Sequence, residues 1–380
     1  MTVPPLMQAA VLADAAPVLS VQEIPTPAPR EGEVLLEVIA CGVCHTDLHV
    51  IKGEVAFPRP AVLGHEVSGR IAQLGPGLDA SGLAVGDLVV SGFIMPCTTC
   101  DACRRGRDDL CANFFAQNRL KGTLYDGESR LRMPDGSFLA MYSMGGLAQY
   151  AVVPASAITP LPEGMDPETA AIIGCAGLTA YGAVFHRAQL REGARVAIIG
   201  AGGIGSSLIP LATAAGAGQV VVVDIAADKL RNAADLGATD VVDASEVDPV
   251  ETVRALTDGG ADVVFEALGH PTTFAQGVGM LADGGRLVAI GIASVGAAAQ
   301  VEITPVVRRG YEIVGSFGAR TRVDLPEIVR LAAEGVYDVE PLVTRRYRLA
   351  DADQAYRDLD ERRIVGRAVI TMTERSAANP

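Results

Sequence analysis

Several things are missing from this 380-residue chain, and each absence removes a class of answer. Positive charge is in deficit: 31 Lys and Arg stand against 45 Asp and Glu, a net charge of −14. That balance disfavours nucleic acid or an anionic membrane surface as the main partner. No uninterrupted apolar run reaches the roughly 18 residues that a membrane-spanning helix needs. Met1 to Ala10 contains no basic leader, and Asp14 interrupts the apolar stretch that follows. The expected compartment is therefore cytoplasmic. No repeat with a period of about 20–50 residues and no low-complexity tract is present. The seven cysteines are odd in number and cannot all pair. Where thiols stay reduced, cysteines more often bind metal or do chemistry than form bridges, so their positions carry the first information.

What is present is ordinary for a globular protein: 49% apolar and 20% charged residues. At about 150 residues per domain, the length predicts two to three domains with sizeable cores. From about residue 33 to 155 the chain reads as short strands and turns, including Glu33 to Ala40, Glu66 to Leu74, Asp87 to Val90 and Gln149 to Val153. Near residue 176 the pattern changes. Apolar strands (Arg195 to Ile199, Gln219 to Asp224, Asp240 to Val242, Ala261 to Glu266, Arg286 to Ile290, Glu312 to Gly315) alternate with helical stretches such as Gly205 to Ala215, Ala227 to Leu236 and Pro249 to Thr257. This alternation predicts an α/β unit with a doubly wound parallel sheet covered on both faces. Beyond residue 320 the expectation is a helix at Leu325 to Glu334, a strand at Thr344 to Leu349, a helix at Ala350 to Glu361, a strand at Gly366 to Met372 and a frayed tail from Glu374.

Gly200-Ala201-Gly202-Gly203-Ile204-Gly205 fits G-x-G-x-x-G between a strand and a helix, the setting in which that pattern binds a dinucleotide. The first glycine permits the turn, the second admits the pyrophosphate and the third lets helix pack on strand. Asp224 ends the next strand, where a carboxylate can bind an adenosine ribose and repel a 2′-phosphate, so NAD is expected rather than NADP. A glycine-rich turn without a ligand would not need strand, helix and acid in register.

Cys97, Cys100, Cys103 and Cys111 read C-x2-C-x2-C-x7-C. Four thiolates in one loop match a closed, structural zinc site, with an iron–sulfur cluster as the alternative. The nearby charge run (Arg104, Arg105 and Arg107 against Asp101, Asp108 and Asp109) reads as a solvated face. Cys44, in Cys41-Gly42-Val43-Cys44-His45-Thr46-Asp47-Leu48-His49, His65, in Gly64-His65-Glu66, and Cys175 form a third, scattered set. Two cysteines and a histidine with an open position are a known catalytic zinc set. From spacing alone, Cys175 reads more readily as a small core residue and His65 as a turn residue.

Taken together, these motifs resemble the zinc-dependent alcohol dehydrogenases of the medium-chain dehydrogenase/reductase superfamily, from about Met7 to Met372. The resemblance implies a mostly-β, GroES-like catalytic domain over 1–176 and 320–380, and a Rossmann NAD-binding domain over 177–319. It implies two Zn2+ per subunit: a catalytic ion on Cys44, His65 and Cys175, and a structural ion on Cys97, Cys100, Cys103 and Cys111. Thr46 and His49 match the two ends of a proton relay, and Glu66 matches a carboxylate beside the metal. Asp47 is expected to orient His65. His45, Lys229 and Arg367 match cofactor contacts, Arg367 to the pyrophosphate. Phe93 is placed in the substrate pocket. The long segment before Gly146 resembles the animal-type branch, which favours a homodimer, with a tetramer as the alternative.

The implied reaction passes a hydride between an alcohol and NAD, giving an aldehyde or ketone. A dehydrogenase of a formaldehyde–thiol adduct or of a polyol is the rival within the class. A zinc-free quinone reductase would lack the cysteine lobe and Gly-His-Glu. A storage or lens-type protein that has lost catalysis would be expected to lose Cys44, Thr46, His65 or Asp224, and none is missing. The substrate class expected is a small molecule, with neither nucleic acid nor membrane as partner.

Overall fold

A computed structural model describes residues 2–14 and 16–372. The tail expected to fray lies outside the described residues. The chain forms two compact units. One comprises the residues up to Cys175, Arg320–Ala333 and the chain from Val343 onward; the other comprises Ala176–Ala319 and Glu334–Leu342. These units differ from the expected spans at Ala176 and at Glu334–Leu342. In the second segment Tyr337 is fully buried and its hydroxyl donates to Ser207 Oγ at 3.0 Å. That long-range contact attaches the segment to the helix after the glycine turn and has no local signature.

The first unit is built on two sheets. The strand Glu33–Gly42 is central to the larger one. It pairs antiparallel with Val67–Leu74, Tyr150–Pro154 and Arg367–Thr371. Register explains how distant residues meet. Cys41 pairs with Val67, so Cys44 and His65, just beyond those two positions, emerge at the same end of the sheet. Ile370 pairs with Cys41, and Val43 N–H donates to Ala368 C=O at 2.9 Å, which carries Arg367 to that end as well. The strand Leu88–Ser91 leads into Phe93, whose N–H donates to Gly174 C=O at 2.9 Å and so docks the segment ending in Cys175. The smaller sheet includes Leu6–Leu12 and Leu19–Pro25, an antiparallel pair that the strand pattern alone did not reveal.

The second unit contains a six-stranded sheet in which every pairing is parallel. Its order is Asp240–Asp243, Ala217–Asp224, Ala194–Ile199, Ala261–Glu266, Leu281–Ala289, Glu312–Gly315. The chain order reverses beside the central strand Ala194–Ile199, and the crevice at such a switch point is where open α/β sheets bind ligands. Val221, Val222, Phe265, Leu287 and their neighbours are fully buried. Each such side chain contributes about 1.5–3 kcal/mol by leaving water. This is the doubly wound sheet expected from the alternation. The helix expected at Gly205 starts at Gly203. The helix expected at Leu325 starts at Thr321 and passes through Pro326. The short helix His45–Ile51 went unread: its N-cap is Cys44, which makes no capping side-chain bond, so the usual start signal is absent. Among the described residues no single helix is long and apolar enough to cross a membrane.

Candidate active site and metal centres

Cys44, His65, Glu66 and Cys175 come together in the first unit, their ligand atoms all within 4.8 Å of one another. Cys44 sits at the start of the helix His45–Ile51, where its extended backbone turns the thiol out of the helix. His65 is 1% exposed, and its Nδ1 lies 3.1 Å from Asp47. Asp47, wholly buried, also accepts from Gly64 N–H at 3.2 Å and from the Tyr356 hydroxyl at 3.0 Å. The carboxylate therefore fixes the imidazole so that Nε2 points at the two thiols. That Nε2 is buried and makes no hydrogen bond among the described residues. A buried nitrogen without a partner, beside two sulfurs, fits a soft cation held by two cysteines and one histidine.

The charges at this end of the sheet are strongly coupled. Contact with Cys175, against the cost of burial, holds the Cys44 thiol well below the usual range, helped by the His65 charge. Cys175 moves the opposite way, raised by the same contact and by burial. Burial opposes the His65 cation, but Asp47 and the Cys44 thiolate outweigh it and carry the imidazole up to about 10. Burial lifts Glu66 to about 7 although Arg367 favours its ionised form. Glu66 Oε1 stands 3.9 Å from His65 Nε2, and its other oxygen is ion-paired to Arg367. Arg367 is therefore seen here as the buried counter-ion of Glu66, with its own Nε unpartnered.

Thr46 Oγ1 lies 3.6 Å from Cys44 Sγ. His49 is one helical turn on, half-exposed, with Nδ1 2.5 Å from Glu54 Oε2. His45 is exposed at the same helix start. Phe93 packs edge-on to His65 at 6.1 Å between ring centres, and Tyr142 does the same at 6.2 Å. Tyr142, Phe57 beside it at 4.9 Å, and Tyr356 carry no motif, and Tyr142 and Tyr356 are also far from His65 in sequence. Cys41 is buried and belongs to neither cysteine group, its Sγ 3.7 Å from Gly42 C=O.

The second cysteine group brings Cys97, Cys100, Cys103 and Cys111 within 4.8 Å of one another, all of them unbridged. Cys97 Sγ and Cys103 Sγ are 4.0 Å apart. Four sulfurs at about 2.3 Å from one zinc would stand about 3.8 Å apart at tetrahedral angles. Backbone N–H groups already point at the sulfurs: Cys97 and Phe114 at Cys111 Sγ (3.3 and 3.4 Å), Cys100 at Cys97 Sγ (3.4 Å). Burial opposes ionisation of Cys97, but N–H donors from Cys100 and Thr99 bring it down to about 6. The donor set and its thiolate-stabilising amides fit zinc. The charge run in this loop is a solvated face only in part: Asp101, Arg104 and Arg105 are exposed, whereas Asp108 and Asp109 are buried. Asp108 is 1% exposed and accepts from the Arg322 backbone and guanidinium, 2.7 Å at the shortest. Asp109, also buried, pairs with Arg107 at 2.6 Å. Arg322 lies more than 200 residues away, which a local reading of charge could not anticipate.

In the second unit Gly200 has φ +97° and a Cβ at Gly205 would lie 1.9 Å from Gly200 C=O, so the turn tolerates neither side chain. Gly202 has nothing within 4 Å of a Cβ position, which leaves open space at the start of the helix Gly203–Ala214, with Ile204 in its first turn. An anion such as a pyrophosphate fits there, before unpaired helix N–H groups. Asp224 accepts from Ala201 N–H at 2.8 Å, Ile225 N–H at 2.8 Å and Ala226 N–H at 3.0 Å. It braces the glycine turn and keeps acceptor capacity to spare. Lys229 lies five residues on, partly exposed in the helix Ala227–Asp235.

Comparison with known proteins identifies the family. The family described as alcohol dehydrogenase GroES-like domain matches residues 30–163, and that described as zinc-binding dehydrogenase matches residues 203–334. An S-(hydroxymethyl)glutathione dehydrogenase of Komagataella pastoris is 31% identical over 96% of this chain and 97% of its own. The crystal structure of benzyl alcohol dehydrogenase from Acinetobacter calcoaceticus superposes with a TM-score of 0.90 at 30% identity, covering 97% of this chain and 99% of the other. Acetophenone reductase from Geotrichum candidum, solved in complex with NAD, gives a TM-score of 0.80 at 27% identity over 98% of this chain and 99% of its own.

Proposed function

The chain belongs to the zinc-dependent alcohol dehydrogenases of the medium-chain dehydrogenase/reductase superfamily, and from that premise we propose that it passes a hydride between a small-molecule alcohol and NAD at the Cys44–His65–Cys175 cluster. The observation that carries the assignment to this cluster is the buried, unpartnered His65 Nε2 beside two thiols. Cys44, His65 and Cys175 would hold one zinc, and Cys97, Cys100, Cys103 and Cys111 a second, two per subunit. When bound, the catalytic zinc lowers the pKa of the alcohol and the nicotinamide takes up the hydride.

The remaining work falls to this chain's own groups. Asp47 holds His65 in the tautomer that presents Nε2. Arg367 balances the Glu66 carboxylate, so that a third negative charge beside two thiolates is tolerated. Thr46 receives the hydroxyl proton, and His49, on the same helix face three residues on, passes it to water. Glu54, against His49 Nδ1, stabilises the ring while it carries the proton. Gly200, Gly202, Gly203, Ile204 and Gly205 receive the pyrophosphate, with His45 and Arg367 as further phosphate contacts. Asp224 and Lys229 read the adenosine ribose and favour NAD over NADP. Phe93 lines the substrate pocket. The cytoplasmic location and homodimer belong to the same reading, supported by the composition and by the long segment before Gly146.

The experiment is zinc quantification on the purified chain, with NADH formation followed on primary, secondary and aromatic alcohols and on S-(hydroxymethyl)glutathione. About two zincs per chain with turnover supports the reading. Cys44→Ser should remove turnover and one zinc with the fold intact. Full activity in that variant would sink the cluster as the reaction centre.

A further inference from the structure

Beside the metal-binding cluster lies a cation that no described residue hydrogen-bonds. Arg119 ends the wide-turned helix Phe114–Arg119. Its guanidinium carbon stands 4.0 Å from the centre of the Tyr142 ring and 5.9 Å from that of Phe114. It makes no hydrogen bond or ion pair with any described residue, and its Nη1 is buried. Arg130, Arg322 and Arg367, also in this unit, each hold a carboxylate. Stacking on ring faces attracts the charge but satisfies none of the five N–H donors. A buried donor without an acceptor is costly unless a ligand supplies one.

The neighbours say where that ligand would be. The Tyr142 ring is 6.2 Å from His65, the imidazole of the cluster. The two separations, 4.0 and 6.2 Å, bound the distance from guanidinium to imidazole centre at about 10 Å. Aromatic rings are packed here: Phe57 edge-on to Tyr142, and Tyr142 and Phe93 edge-on to His65. A net charge of −14 would otherwise repel an anionic substrate, and a planar, permanently charged fork is the group that reads a carboxylate in two bonds.

We propose that Arg119 is a specificity-determining residue that binds the carboxylate of a hydroxy-acid substrate, or of the corresponding aldehyde acid, whose carbinol carbon reacts at the Cys44–His65–Cys175 cluster. The proposal rests on the dehydrogenase reading above. In the reaction the carbinol C–H bond breaks and its electron pair goes as hydride to the nicotinamide. The hydroxyl proton leaves, the C–O bond becomes C=O, and the carboxylate is unchanged. A rigid spacer such as a benzene ring, with acid and carbinol at opposite ends, is of the order of that bound.

The test compares kcat/KM for 4-(hydroxymethyl)benzoate, 4-(hydroxymethyl)benzamide and benzyl alcohol on the zinc-loaded enzyme with NAD. The wild type should favour the acid over the amide by about 10–100-fold, the range a charge-assisted bidentate contact gives. Arg119→Gln and Arg119→Met should bring that ratio close to one, chiefly through KM for the acid, and Arg119→Lys should keep part of it. Met retains an apolar stem and loses only the guanidinium that stacks on Tyr142, so a melting curve reports any loss of packing apart from the loss of charge. A wild type that treats acid and amide alike overturns the proposal, as does a variant that slows all three substrates by the same factor. A wild type that oxidises no alcohol of any class, with NAD or NADP, overturns the dehydrogenase reading and this proposal with it.

Discussion

Asp47 offers a perturbation whose size can be worked from contacts. Its carboxylate is fully buried and accepts three bonds: Gly64 N–H and His65 Nδ1–H at Oδ1, and the Tyr356 hydroxyl at Oδ2. Asp47→Asn can keep both bonds at the retained oxygen, while its NH2 donates to a reoriented Tyr356 hydroxyl. The fold should survive with a loss of about 1 kcal/mol. What disappears is the negative charge that supports His65 as a ligand. Loss of such a partner typically lowers metal affinity about 10–100-fold, or about 1.4–2.8 kcal/mol. Asp47→Leu instead strands three buried donors. At about 1–3 kcal/mol each, partly relaxed, that is a loss of about 3–6 kcal/mol and a fall of about 10 °C or more in melting temperature. Zinc competition against a graded chelator reads the first effect, and thermal unfolding reads the second. The Asn variant should lose one zinc at lower chelator concentration and melt near the wild type; the Leu variant should fail on both counts. Equal zinc affinity in wild type and Asp47→Asn, or identical behaviour of Asn and Leu, would show that the charge and the three bonds do not act as described.

Cys100→Ser should lower zinc content by about one per chain and destabilise the first unit, since metal binding and folding energy are shared at a closed site; an unchanged melting curve counts against a structural ion there. Asp224→Gly should relax the preference for NAD and weaken the glycine turn, because three backbone donors lose their acceptor; ratios of kcat/KM for NAD and NADP measure it, and an unaltered ratio refutes the role of Asp224. Burial opposes ionisation of Asp126, but hydrogen bonds from Arg130 outweigh it and hold the carboxyl at about 2. A depressed carboxyl stabilises the fold fully above its ordinary value near pH 4 and loses that contribution as the pH falls towards 2. The melting difference between wild type and Asp126→Asn should therefore be largest above pH 5 and shrink below pH 4; a gap that widens in acid is the contrary result.

The sequence by itself determined what depends on neighbours along the chain. Fully apolar strands alternating with helices specify a parallel sheet wherever they occur, because both faces must be covered. The glycine turn is local, since Gly200 and Gly205 meet across five residues. The four-cysteine lobe is local too: fifteen residues suffice to surround one ion. These could be read because the physics that requires them acts within one turn or one supersecondary unit.

Tertiary structure alone decided the rest. Spacing could not say that Cys44, His65 and Cys175 converge, since strand register between Glu33–Gly42 and Val67–Leu74 brings the first two together and a separate backbone contact at Phe93 docks the third. The same holds for Tyr356 on Asp47, Arg367 on Glu66 and Arg322 on Asp108, each pair separated by more than 200 residues. It holds also for the stacking of Arg119 on Tyr142. A charge in a sequence has no environment. Only the packed chain determines whether an arginine meets a carboxylate, water, or a ring face with its donors unmet.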